Sequence, residues 1–315
     1  MNLKIRVILL MAVWIGITVV IVVERYCKTE KSNYESHGGG KQDFAKDQRL
    51  VNYIRSLISQ PSLTRPRRLS KPHKKDASEV GQSAFIDKLL SGRRGGFFVE
   101  CGAADGESLS NTLFFELQRN WTGILIETHP KLYSTLLRKN RRAYVLHTCL
   151  STERRPTTVS FRLAGFRSGI DETKSPSSTS FVNSSSVKPK VGMKCFPLNA
   201  IMAAIKVSHI DYFSLDVEGP EIEILRTVDW TKLRIDVISV EYRVLSGENI
   251  NQPATLTKLN EARQFFRETG LYREEAVLPS GANDAVGLDV VFSRRQLPSA
   301  IANYGSSLLG AVNAN

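Results

Sequence analysis

A glycine-containing turn after an apolar run is the first place in this sequence where residue types and spacing indicate chemistry. The run 97–100 reads FFVE and is followed by CGAADG at 101–106. Glycine lets the backbone approach a ligand closely, and ligands of open α/β sheets bind beyond the carboxyl ends of the strands. A pyrophosphate-binding turn needs G-x-G-x-x-G, whereas this turn reads E-x-G-x-x-x-G. The pattern is typical of a turn that holds the amino-acid end of S-adenosylmethionine (SAM), and the alternative is a plain junction between a strand and a helix. The candidate cofactor contacts are Glu100, Gly102, Ala103 and Gly106.

Glu127 is a second candidate contact, because it ends the next apolar run, GILIE at 123–127. Its separation from Gly106 (127 − 106 = 21 residues) matches the spacing of about 20 residues found in nucleotide-binding βαβ units. A carboxylate in this position can accept hydrogen bonds from both ribose hydroxyls. NAD is the competing cofactor, and the glycine pattern disfavours it. A solvated acid at the end of a strand is the other alternative.

Three further acids are candidates for catalysis. Asp216 and Glu218 belong to the segment DVEGPE at 216–221, directly after an apolar run, and Glu241 ends the following run. A carboxylate there can orient or deprotonate a hydroxyl acceptor of the methyl group. The alternatives are a ligand of a divalent cation and a cluster that caps the helix beginning at Glu221. Asp284 and Asp289 are weaker candidates, and 110–112, SNT, is read mainly as a helix cap.

The elements that must position these residues alternate between strand and helix. The strand signals are short continuous apolar runs, which are typical of a mostly parallel sheet covered on both faces. The last two predicted strands, 272–278 and 288–293, are joined by only a short turn and should be antiparallel. The predicted fold class is therefore α/β, a Rossmann-like, doubly wound sheet of the class I SAM methyltransferase type that ends in an antiparallel hairpin.

An uncharged segment near the amino terminus predicts a membrane anchor. Residues 7–23 carry no charge over 17 positions, which spans roughly 26 Å as a helix, and no small-residue cleavage site of a signal peptide follows. The predicted organisation is a short tail at 1–6, a transmembrane helix at 7–23, a basic flexible stem at 24–78, the catalytic-type domain at 79–295 and a tail at 296–315. The net charge of +12 is concentrated in part in the stem. We read that tract as a solvated spacer and expect no nucleic-acid partner.

Glycosylation signals and cysteines bear on the compartment. N-x-S/T sequons at Asn120 and Asn183 favour a luminal domain, and so a single-pass type II protein of the endoplasmic reticulum or Golgi membrane. Cys149 and Cys195 flank a Ser-rich loop and can bridge it; the alternative is that both are small buried residues. The spacing of Cys and His does not suit zinc, and no metal site is predicted.

These segments together resemble the FkbM-type methyltransferase family. The resemblance extends over about 82–295 and is carried by GFFVECGAADGE at 96–107, SNTL at 110–113, WTGILIE at 121–127 and IDYFSLDVEGPE at 210–221. It implies a seven-stranded Rossmann-like sheet and transfer of a methyl group from SAM to a hydroxyl oxygen. It also implies that Glu100, Gly102, Gly106 and Glu127 contact SAM.

Within that family the chain is most similar to the Star proteins of invertebrates. That similarity implies a type II membrane protein that escorts growth-factor precursors from the endoplasmic reticulum to the Golgi and onward. Two functions therefore stand beside each other. One is a membrane-anchored SAM-dependent O-methyltransferase of the secretory pathway. The other is a non-catalytic trafficking adapter with a growth-factor precursor as its client.

Overall fold

The structure, a computed structural model, describes residues 44–162, 169–170, 190–246, 249–279 and 286–295. All of them belong to one compact unit that begins at Phe44. Its helices are α1 Gln48–Leu57, α2 Gln82–Leu89, α3 Leu113–Gln118, α4 Pro130–Lys139, α5 Leu198–Ala204, α6 Glu221–Thr227 and α7 Gln252–Thr269. Its strands are β1 Phe97–Cys101, β2 Thr122–Glu127, β3 Tyr144–His147, β4 Cys149–Leu150, β5 Thr157–Arg162, β6 Gly169–Ile170, β7 Lys190–Phe196, β8 His209–Leu215, β9 Arg234–Glu241, β10 Leu245–Ser246, β11 Asn249–Ile250, β12 Tyr272–Leu278 and β13 Asp289–Arg294.

A seven-stranded sheet forms the centre of the domain, in the order β12-β13-β9-β8-β1-β2-β3. Strands β3, β2, β1, β8 and β9 are parallel to one another. Strand β13 is antiparallel to both β9 and β12. The predicted doubly wound sheet with a terminal antiparallel hairpin is confirmed, and β1 lies inside it between β8 and β2.

Helices cover both faces of the sheet, as its apolar strands require. On one face Phe98 and Tyr212 pack in a single cluster with Ile86 of α2, Phe115 of α3 and Leu136 of α4. On the other face Phe292 of β13 stacks on Phe266 of α7, with ring centroids 4.0 Å apart. Successive strand residues point to opposite faces, so a strand buried on both sides has no polar alternation.

A small second sheet, in the order β4-β7-β5-β6, carries a disulfide bond. Cys149 of β4 and Cys195 of β7 are direct register partners and are joined by that bond. The prediction that the two cysteines form a bridge is therefore confirmed. Most of the Ser-rich loop that they flank, including Asn183, lies outside the described residues.

The segment 44–78 differs from the predicted flexible stem. Helix α1 buries Leu50, Val51 and Ile54, and its Arg55 Nε donates to the Ala204 carbonyl oxygen at 2.8 Å. The following strap, which we define as residues 59–78, pairs through Ser59 with Val145 of the central sheet's β3. The folded domain thus includes Phe44 onward.

One basic side chain and two backbone N–H groups of the strap bind buried acids of the domain, which a count of the strap's charges could not show. Arg67 Nε lies 2.5 Å from a carboxylate oxygen of the buried Glu116. The backbone N–H groups of Ser70 and Lys71 donate to Glu107 at 2.7 and 2.5 Å. These acids come from the domain sequence, so the strap's own composition cannot reveal them.

Among the helices that the structure describes, none has the length and apolar character to cross a membrane. The predicted anchor at 7–23 and the predicted tail at 296–315 lie outside the described residues.

Candidate cofactor and acceptor site

The carboxyl edge of the central sheet brings the predicted cofactor and acceptor residues together. Strand β1 pairs with β2 and with β8 so that Cys101 lies opposite both Ile126 and Leu215. The next residue on each strand, Gly102, Glu127 or Asp216, therefore lies at the same edge. The backbone N–H of Asp216 donates to the Cys101 carbonyl oxygen at 3.1 Å, which fixes the end of β8 against the turn.

The two glycines of the turn lie directly against protein atoms on the side where a Cβ would be. Gly102 has φ +87°, and a Cβ there would lie 1.8 Å from the Asp216 carbonyl oxygen. Gly106 has φ +78°, and its Cβ would lie 2.3 Å from Leu136 Cδ1. Both positions therefore need glycine for backbone conformation and for packing. Gly102 nevertheless is solvent-exposed, so a ligand can still reach the turn.

Ala103 takes part in the turn through its backbone. Its N–H and that of Gly102 both donate to the Ile126 carbonyl oxygen, each at 3.1 Å. Its side chain is buried in the apolar cluster under the sheet. Ala103 therefore supports the turn with its backbone hydrogen bond and its buried side chain, whereas Gly102 is exposed to solvent.

Glu100 is buried at 3% exposure and holds the following loop. Its carboxylate accepts hydrogen bonds from Ser110 Oγ at 2.9 Å, the Asn111 N–H at 2.7 Å and Thr112 Oγ1 at 2.5 Å. Burial raises the pKa of Glu100, and the Arg141 charge and these hydrogen bonds oppose the rise. Glu100 therefore holds residues 110–112 beside the turn, and its contact with a cofactor stays a prediction.

Glu127 lies at the carboxyl edge, where the sequence predicts a ribose contact. It is 5% exposed and accepts the N–H groups of Ala104 at 2.7 Å and His129 at 2.6 Å. Thr128 contributes further hydrogen bonds to this carboxylate from its backbone and its side chain. Burial raises the pKa of Glu127 to about 7, although these hydrogen bonds lower it.

Three acids of adjacent strand ends, Asp216, Glu241 and Asp289, form an acidic cluster. Glu241 and Asp289 are direct register partners, and Asp216 follows Leu215, which pairs with Val240. Burial raises the pKa of Asp216 and of Glu241 well above the usual range, and the neighbouring carboxylates raise both further. Burial also raises the pKa of Asp289, to about 6, while Gln82 donates to it at 3.0 Å.

The turn after β8 presents the remaining predicted acid, Glu218. It is exposed, has φ +61°, and its charge raises the pKa of Asp216 and Glu241. The buried Glu221 shapes this turn by accepting the N–H groups of Val217 at 3.2 Å and Gly219 at 3.0 Å. Lys258 Nζ neutralises Glu221 at 2.9 Å, a contact that no local sequence pattern indicates.

Two buried polar atoms at this edge have no hydrogen-bond partner among the described residues, Asn111 Oδ1 and Glu241 Oε2. A buried polar atom without a partner is costly, so such atoms indicate a place for a bound molecule. Together with the exposed Gly102 and the Glu127 carboxylate at the same edge, they make the edge fit a cofactor that carries hydroxyl and ammonium donors. Glu127 would hold such a cofactor at its ribose.

The amino edge of the same sheet carries a second acidic group, His209, Asp211 and Asp236, whose ligand atoms lie within 4.8 Å of one another. Arg93 Nη1 bonds to both carboxylates, at 2.8 Å in the case of Asp236. Arg234 Nε takes the other Asp236 oxygen at 2.8 Å. Guanidinium groups therefore occupy the place that a metal ion would need.

Comparison with known proteins adds the family. The sequence profile of the methyltransferase FkbM domain matches residues 100–272, more than half of the chain. The chain belongs to the FkbM methyltransferase family. The FkbM domain is a SAM-dependent methyltransferase domain, so the predicted family and its cofactor are confirmed. The match includes Glu100, the glycine turn, Glu127, Asp216 and Glu241.

Solved structures that align with the chain include an FkbM methyltransferase from Methylobacillus flagellatus KT. The two sequences are 14% identical, the TM-score is 0.38, and the alignment covers 63% of this chain and 43% of that one. This chain therefore spans less than half of the Methylobacillus protein. Fibrillarin from Aeropyrum pernix, bound to S-adenosyl-L-methionine, aligns with 11% identity and a TM-score of 0.37, over 69% of this chain and 74% of that one. No curated protein matches the chain in sequence.

Proposed function

We propose that this chain is a membrane-anchored, SAM-dependent O-methyltransferase of the secretory pathway that acts on a hydroxyl acceptor. The observation that carries the proposal is the acidic cluster of Asp216, Glu241 and Asp289 at the carboxyl edge. It lies next to the exposed Gly102, whose turn belongs to the matched FkbM segment. Cofactor turn and proton acceptors thus share one edge.

The chain's own residues supply binding and proton transfer. When bound, SAM supplies an electrophilic methyl group. Glu127 would accept hydrogen bonds from the ribose hydroxyls and so orient the cofactor. Asp216 and Glu241 lie at the same edge of the sheet. Their raised pKa values make their ionised forms stronger bases than ordinary carboxylates, so one of them would take the proton of an acceptor hydroxyl held beside it.

The compartment is supported by two features. A disulfide bond joins Cys149 and Cys195, and such bonds persist in oxidising compartments such as the lumen of the endoplasmic reticulum. Asn120, in a sequon, is exposed in the turn before β2. With the uncharged segment 7–23, these features support a type II anchor with a luminal domain.

Methyl transfer can be tested with the full chain, tritiated-methyl SAM and candidate hydroxyl acceptors from a secretory-pathway fraction. We expect label that survives mild base, as an ether does and a methyl ester does not. Asp216→Asn should abolish transfer and keep binding of S-adenosylhomocysteine (SAH), and the exposed Glu153→Gln serves as the matched acid control. Base-labile label, or full transfer by Asp216→Asn, would contradict the proposal.

A trafficking adapter is the second candidate, and one observation favours it. Protein atoms fill the positions where a Cβ of Gly102 or Gly106 would lie, and protein donors bind Glu100. Packing within the protein therefore accounts for these three residues without a cofactor. A retired enzyme fold that binds a growth-factor precursor would keep such features. In cells, the combined Glu127→Gln and Asp216→Asn variant would then export the precursor as well as the wild type does. Loss of export with normal folding would exclude a purely non-catalytic role.

A further inference from the structure

Three of the four polar groups of Asn111 make hydrogen bonds with the protein, and the fourth has no partner among the described residues. Its backbone N–H donates to Glu100 at 2.7 Å, and its carbonyl oxygen accepts from Ser83 Oγ at 3.1 Å. Its side-chain Nδ2 donates to Ser214 Oγ at 3.0 Å. The residue is 7% exposed, yet its Oδ1 has no partner among the described residues. The side chain is thus fixed in place with one acceptor unused.

Two other amides of the domain, Gln82 and Asn199, use both of their ends, unlike Asn111. Gln82, buried at 2% exposure, accepts the Val80 N–H at 2.9 Å and donates to Asp289 at 3.0 Å. Asn199 accepts the Asp229 N–H at 2.9 Å and donates to the carbonyl oxygen of the same residue at 3.3 Å. An unsatisfied buried acceptor is unfavourable unless a ligand or ordered water completes it.

Helix capping does not account for Asn111, although the sequence favours that reading of 110–112. Helix α3 begins at Leu113, and its N-cap residue, Thr112, makes no side-chain capping bond. Ser110 Oγ accepts the Leu113 N–H at 3.1 Å. The capping role therefore belongs to Ser110, and the Asn111 side chain is turned to β8.

The open acceptor lies where the amino-acid end of the cofactor is expected. Ser214, which anchors the amide, is the register partner of Glu100 and precedes Leu215 and Asp216 at the end of β8. The Asp216 carbonyl oxygen in turn lies against Gly102, the exposed residue of the turn. The amide thus lies between the ends of β1 and β8.

We propose that Asn111 is a cofactor-binding residue whose Oδ1 accepts a hydrogen bond from the α-ammonium group of SAM. The assignment follows from chemistry: Oδ1 needs a donor, and at the amino-acid end of SAM the ammonium group donates whereas the carboxylate accepts. The inference rests on the proposed function, because it requires that the carboxyl edge binds SAM.

Calorimetric titration of the full chain with SAH and two analogues tests this assignment. One analogue lacks the α-amino group, and the other lacks the carboxylate. Asn111→Leu should weaken SAH and the decarboxylated analogue at least about tenfold, as expected for loss of a charge-assisted hydrogen bond. It should leave the weaker binding of the deaminated analogue unchanged, because that ligand has no ammonium group to lose.

Two further variants separate binding from folding. Asn111→Asp keeps an acceptor in the same place and should retain SAH binding within about threefold, since a carboxylate also attracts an ammonium group. Asn199→Leu removes a comparable amide far from this edge and should bind all three ligands like the wild type.

Each remaining outcome overturns the assignment. Equal weakening of all three ligands by Asn111→Leu would indicate a structural role, and unchanged SAH binding would indicate none. Weakening confined to the ligands that keep the carboxylate would mean that Nδ2 is the open atom and meets the carboxylate. If the folded wild type binds none of the three ligands, the proposed function itself fails, and this inference fails with it.

Discussion

Replacing Gly102 by alanine tests whether the Asp216 carbonyl oxygen occupies the space in which a Cβ of residue 102 would lie. Two costs are expected. A non-glycine residue in the left-handed region costs about 1–2 kcal/mol. In addition, the new Cβ would lie 1.8 Å from the Asp216 carbonyl oxygen, so the end of β8 must shift by more than an ångström. Overpacking of this kind typically costs about 1–3 kcal/mol, which gives a total loss of about 2–5 kcal/mol.

Gly81 provides the matched control, because it has nearly the same conformation without the contact. Its φ is +83°, close to the +87° of Gly102, and nothing lies within 4 Å of the Cβ that an alanine would add. Gly81→Ala should therefore lose only about 1–2 kcal/mol. The difference between the two variants isolates the cost of displacing the Asp216 carbonyl group.

Urea unfolding of both variants under oxidising conditions measures the two free energies. In thermal unfolding, each lost kcal/mol corresponds to about 2–4 °C for a domain of this size. Gly102→Ala should also weaken SAH binding, because the shift moves Asp216 as well as the turn. Equal losses of stability in Gly102→Ala and Gly81→Ala would refute the reasoning, since the Asp216 carbonyl would then not occupy that space.

Three other predictions concern charge and cross-linking. Burial raises the pKa of Glu127 to about 7 in the folded state, whereas the unfolded chain ionises this group near its ordinary pKa of 4.5. As the pH rises between these two values, the free energy of unfolding of the wild type should therefore fall by up to about 3 kcal/mol relative to that of Glu127→Gln. Equal slopes of stability against pH would contradict this sign. Glu116→Gln should lower the unfolding free energy by about 3–5 kcal/mol, because it leaves the fully buried Arg141 without its 2.6 Å ion pair. Glu153→Gln, in an exposed pair, should change the unfolding free energy by less than about 0.5 kcal/mol. Comparable losses in the two variants would contradict the difference in burial. Replacing Cys149 and Cys195 together by serine should lower stability by about 2–4 kcal/mol, because the bond closes a loop with a sequence separation of 46; an unchanged urea midpoint would argue that the cysteines are reduced.

The fold could be predicted because its signals are local and repeated. The apolar runs that become β1, β2, β8 and β9 are continuous, as strands buried on both faces must be. The antiparallel hairpin followed from the short connection before Asp289. The small sheet around the disulfide was largely missed, because β4 has only two residues and its partner β7 lies beyond a long polar loop.

The site was predictable in position but less so in role. Residues at the ends of parallel strands must share one edge, so Glu127 and Asp216 could be placed together. The role of Glu100 depends on donors from the loop that follows the turn, and that of Asp289 depends on its pairing with Glu241. Such contacts are set by tertiary structure, as are the acids that hold the strap, and no local pattern reveals them.

Calorimetric titration of the folded, oxidised full chain with SAH tests the central claim most directly. The account predicts binding of one molecule per chain, weakened at least about tenfold by Glu127→Ala, since the buried carboxylate supplies the acceptors for the ribose hydroxyls. Absence of binding by the folded wild type, or equal affinity of wild type and Glu127→Ala, would contradict a SAM site at the carboxyl edge of this sheet.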